Sequence, residues 1–187
     1  MSALPSSARR LGPLAAVLLV ALAACDQAPA PARGPAVISA PPPPDALPDC
    51  DAIATALGEL VVGLEVVDPA GTRQDTADAF SLSCAWRGAD DGAALGAIVI
   101  VDQKPLTEAD MRRAGLYVDD PRVAALGGFI AYPEGRLDGA EILGPVGPQV
   151  IVGPVTVTLA ANARGAVANV TLAQAVDGAV AIHRLMR

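Results

Sequence analysis

Few residues here could do chemistry: one histidine, one lysine, three cysteines, and acidic residues that recur in pairs. Paired carboxylates can run glycoside hydrolysis or, where several oxygens converge, hold calcium. The pairs are Asp75 with Asp78, Asp90-Asp91 and Asp119-Asp120. Sugar chemistry also wants aromatic walls, and aromatic residues are only 3% of the chain. Asp90-Asp91-Gly92 lacks the alternating ligands of an EF-hand loop, so the pairs read as solvated turns. His183 has no second histidine to join it, which removes the usual zinc sites. It falls on the apolar face near the end of the last predicted helix, where the dipole would favour its proton. It reads as a structural or solvent-edge residue. Ser81 and Ser83 lack a Gly-x-Ser-x-Gly elbow, and Lys104 lies in no Ser-x-x-Lys pattern. No Lys-Ser/Thr follows Gly88, Gly92 and Gly96, so they are not a phosphate cradle. Asn169-Val170-Thr171 matches a glycosylation triplet but reads as the approach to a helix cap. Cys50 and Cys84 are 34 positions apart, which rejects a Cys-x-x-Cys redox pair. No cofactor and no metal are expected.

The first 25 residues read as an address. Arg9 and Arg10 form a basic start, and the apolar run Leu11–Ala24 that follows is too short to span a bilayer. It suits a secretory h-region. Leu22-Ala23-Ala24-Cys25 resembles the lipobox of bacterial lipoproteins, with Cys25 as the thiol that receives diacylglycerol. Residues 1–24 are then the signal peptide. Asp26, directly after the lipidated position, resembles the signal that keeps lipoproteins of enteric diderm bacteria at the inner membrane. Losing Arg9 and Arg10 removes two of 13 basic residues and none of the 20 acidic ones, taking the charge from −7 to −9. Attachment must therefore come from acyl chains rather than from a polybasic patch. The same acidity, with no basic stripe, excludes nucleic acid as a partner.

Residues 25–48 form a tether. Eight of the 17 prolines lie between Asp26 and Pro48, including Pro41–Pro44, and alanine fills much of the rest. Such a segment favours polyproline II and would reach at most about 70 Å when fully extended.

The folded domain is expected over 49–187. Asp49 caps a short helix that Gly58 ends, with Ile53 and Leu57 on one face and Cys50 near it. Phe80-Ser81-Leu82-Ser83-Cys84-Ala85-Trp86 alternates as a half-buried strand, its serines facing out. Arg87–Ala93 is a turn, and Leu95–Val101 the returning strand. Thr107 caps a second helix that stops at Gly115. Gly127–Tyr132, Gln149–Val152 and Val155–Ala160 are further strands, with Pro154 marking a turn, bulge or edge. Thr171 caps a last helix running to about Leu185. Helices at both ends with hairpins between them predict an α+β domain: an antiparallel sheet with helices packed on one face. In an exported chain Cys50 and Cys84 are expected to pair, fastening the first helix to the sheet.

This layout resembles a set of uncharacterised secreted lipoproteins of actinobacterial type. The residues that carry the likeness are Cys25, Pro48-Asp49-Cys50 through Leu57-Gly58, and Ser83-Cys84-Ala85-Trp86. The tether departs from theirs, being Ala/Pro-rich where Ser/Thr-rich is usual. The resemblance implies a small α+β envelope domain without an established catalytic site. The expectation is a lipid-anchored protein on the extracytoplasmic face of the cell membrane. Its domain is non-catalytic and binds another envelope protein or a small apolar ligand. The alternative is an envelope hydrolase working through a carboxylate pair.

Overall fold

The computed structural model describes residues 40–187. The signal segment, Cys25 and most of the tether lie outside the described residues. Eight strands form one antiparallel sheet: β1 (Leu64–Val66), β2 (Thr72–Asp75), β3 (Ala79–Gly88), β4 (Ala94–Asp102), β5 (Tyr117–Val118), β6 (Phe129–Ala131), β7 (Gln149–Val152) and β8 (Val155–Ala161). The order is β1-β3-β4-β8-β7-β6-β5. β2 pairs with β3 end to end with β1, so that border is one interrupted strand. The helices are α1 (Cys50–Leu57), α2 (Glu108–Ala114), α3 (Pro121–Ala124) and α4 (Leu172–Leu185). The α+β class and the antiparallel sheet are as expected.

Alternation decides the faces. Phe80, Leu82, Cys84 and Trp86 of β3 point to one side with Leu95, Ala97, Val99 and Val101 of β4, all buried. Val155, Val157 and Leu159 of β8 and Val150 and Val152 of β7 continue that side, and α1 and α4 cover it. Gly178 is where the two helices close on each other: a Cβ there would lie 2.9 Å from Leu57 Cδ2 and 3.0 Å from Leu159 Cδ2. On the other side lie Ser81, Ser83, Ala85, Ile98 and Thr158, open to solvent as is usual for an antiparallel sheet, while Thr156 and Ile151 of the same side are buried toward the far edge. At its far edge Tyr117 stacks on Phe129 at 5.8 Å, and Arg112 of α2 lies 3.5 Å above the Tyr117 ring. That contact sets α2 apart from α1 and α4.

Local chemistry fixes the element ends. Asp49 accepts from the Ala52 N–H at 2.7 Å, and Thr107 from Asp110 N–H at 3.1 Å. Thr171 and Gln174 form a reciprocal capping box at the start of α4. Gly153, at φ 58°, and Pro154 close a two-residue hairpin between Val152 and Val155, so Pro154 marks the turn.

β1, β2, β5 and α3 have no counterpart in the sequence reading. Thr72-Arg73-Gln74-Asp75 is exposed throughout and has no apolar period to read. α3 is a single turn set by Asp120 as cap and Pro121 behind it. Composition also placed the start of the domain a little late. Pro44–Ala46 forms one 3-10 turn, Leu47 is buried in the core, and Arg73 donates to the Pro44 and Pro48 carbonyls, each at 3.4 Å.

Candidate functional site

Cys50 is the first residue of α1, placed by the Asp49 cap, and Cys84 is on the inward face of β3. They are joined, with S–S 2.01 Å and Cα–Cα 5.6 Å. Both are buried, so the bridge is a fastening in the core rather than an exposed, exchangeable disulfide. Gly71, in the loop between β1 and β2, passes directly over it. A Cβ at Gly71 would lie 2.7 Å from Cys50 Sγ and 2.7 Å from Leu82 Cδ1.

The acidic pairs do not behave alike. Asp90 is exposed, but the Asp91 carboxylate accepts from Ala93 N–H at 2.9 Å and Ala166 N–H at 2.7 Å. Those two backbone donors hold it below the usual carboxylate range. It thereby ties the β3–β4 turn to the segment leading into α4. Asp119 is exposed, while Asp120 receives the Arg122 guanidinium on both oxygens, at 3.0 and 2.6 Å. Arg122 holds Asp120 below the usual carboxylate range. Arg122 also donates to Asp177 at 2.9 Å and to the Ala173 carbonyl at 3.2 Å, linking α3 to α4. Asp91 is itself exposed, so a solvated turn describes both Asp90 and Asp91, whereas in Asp119-Asp120 it describes Asp119 alone. Asp75 and Asp78 stay exposed beside the β2–β3 turn. Among the described residues no group of three or more His, Cys, Asp or Glu converges on a point.

Of the two readings of His183, the structural one holds and the solvent-edge one is corrected. His183 lies on the buried face of α4 as expected, but it is wholly enclosed rather than at the solvent edge. Its Nε2–H donates to the Val150 carbonyl of β7 at 3.0 Å. Nδ1 finds no hydrogen-bond partner among the described residues. Burial pushes its pKa down to about 4, and the nearby Arg187 adds to the effect, so the helix dipole does not win here. Ser81 and Ser83 face away from the core, and Lys104 is exposed after β4.

Of the concavities among the described residues, two bear on binding. One, of about 870 Å³, is enclosed by the 132–141 loop, with Tyr132, Arg136, Leu137 and Glu141 in its wall. The other, about 340 Å³, is a shallow apolar groove on the solvated face of the sheet. Its floor is Ala85, Gly96 and Ala160, which are direct neighbours across three strands, and Pro145 stands at its side. Sequence reasoning did not find this groove, since it exists only once β4 and β8 are paired. Asp120-Pro121, by contrast, is a cap signature that could have been read. Neither a protein-family model, nor a curated protein, nor a solved structure matches the chain.

Proposed function

We propose that the chain is a lipid-anchored cell-envelope protein. Acyl chains on Cys25 hold it at the extracytoplasmic face of the cell membrane, and its domain binds rather than catalyses. Leu22-Ala23-Ala24-Cys25, behind a basic start and a short apolar run, carries the reading. The paired Cys50 and Cys84 support it, because a buried disulfide belongs to a chain folded in an oxidising compartment. They also leave Cys25 as the one cysteine outside the bridge. Asp91 and Asp120 are engaged in holding loops and helices together, which favours binding over hydrolysis by those pairs. The groove over Ala85, Gly96 and Ala160 offers an apolar surface to an envelope protein or a small apolar ligand.

Non-reducing peptide mapping by mass spectrometry on protein taken from membranes tests the anchor. The expected result is acyl mass on Cys25 together with a linked Cys50–Cys84 peptide. Cys25→Ser should lose the acyl mass and move to the soluble fraction. An unmodified Cys25 in membrane-bound protein overturns the reading.

A further inference from the structure

His183 is an enclosed imidazole whose surroundings suit only its neutral form. Nε2–H is satisfied by Val150, and Nδ1 faces no donor among the described residues. A proton on Nδ1 would need an acceptor, and the elements packed on α4 supply none. β7 and β8 contain no charged residue. On α1 the carboxylate is Asp51, which is exposed, and its cap Asp49 is engaged with Ala52. On α3, Arg122 is a cation already bound to Asp120 and Asp177. On α4 itself Arg184 is exposed, and just beyond the helix Arg187 is fixed by donating to the Leu126 carbonyl at 3.1 Å. Among the described residues the one full charge that bears on the ring is thus the Arg187 cation, which disfavours the imidazolium.

The position matters as much as the burial. His183 is two residues from the end of α4, and its partner strand belongs to the half of the sheet built from β5, β6 and β7, none longer than four residues. Helix ends and short strands open at lower cost than a core hairpin. We propose that His183 makes the contact between the end of α4 and β7 an acid-released latch, closed while the ring is neutral and opened when it is protonated. The released end would bare Val150 and Val152, which are buried while the latch is closed.

The direction follows from linkage. The open form takes up a proton near the ordinary value of 6.5, and the closed form resists until about 4. Between those limits each unit of acidification should favour opening by about tenfold. Amide exchange by mass spectrometry on the full chain in mild detergent, corrected for the intrinsic pH dependence of exchange, reads this directly. Protection of Val180–Leu185 should fall about tenfold per pH unit across that window, while the β3–β4 hairpin keeps its protection. His183→Gln and His183→Leu should each abolish the slope. The Hε1 resonance of the chain's single histidine gives a measurement that needs no variant: it should hold its neutral shift down to about pH 4. Constant protection of α4 overturns the latch, as does equal loss in α4 and the β3–β4 hairpin, an unchanged slope in the variants, or a ring that titrates near 6.5 in the folded chain.

Discussion

Gly71 shows how much one residue without a side chain can carry. Its φ of 68° and the 2.7 Å approaches to Cys50 Sγ and Leu82 Cδ1 both exclude a β-carbon. Gly71→Ala should therefore cost about 2–3 kcal/mol, a combination of backbone strain and overpacking, seen as a lower urea midpoint with an unchanged slope. Its role was hidden in the sequence, because it depends on a disulfide that closes far from it along the chain. Asp91 was hidden for the same reason: its Ala166 partner is 75 residues away. The cysteine pairing was legible, since the lipobox reading sets Cys25 aside and leaves Cys50 and Cys84 as the remaining pair. The burial of His183 was half legible. Helical spacing put it on the apolar face, but only the seat against Val150 decides that no solvent reaches it.

At the scale of elements, legibility follows the caps. α1, α2 and α4 begin and end where Asp49, Thr107, Thr171, Gly58 and Gly115 say they should, because caps act within four residues. Thr171→Ala breaks the capping box and should lower stability by about 1 kcal/mol, measured by thermal unfolding; Thr171→Asn should recover most of it. β3, β4, β7 and β8 were legible through alternation or dense Val and Ile. β1, β2 and β5 were not, since strands of two to four residues on a border owe their existence to the neighbour that pairs with them. Gly178 belongs to this scale too: α1 and α4 close on β8 where that one position puts no side chain between Leu57 and Leu159.

For the whole molecule, the α+β class follows from helices flanking hairpins, while the strand order does not. The chain leaves β4, crosses to the far border at β5, and returns through β6 and β7 so that β8 lies against β4. Nothing local encodes that crossing. It is settled by which apolar faces can share one core under α1 and α4. The Cys50–Cys84 bridge bears on that arrangement as a whole, since it joins the first helix to a strand near the middle of the β1–β4 half. Replacing both cysteines by alanine should cost about 3–4 kcal/mol. Trp86, the one tryptophan and buried on β3, reports the unfolding midpoint by fluorescence. The borders of the sheet have a further consequence. On one side β1 and β2 are separated by an exposed loop, and on the other β5 is two residues long. Neither offers a long, straight row of unpaired amides on which another chain could continue the sheet. Copies of the domain that meet edge to edge therefore find no ready template for strand addition, so concentrating the protein should not by itself drive it into sheet-continued polymers.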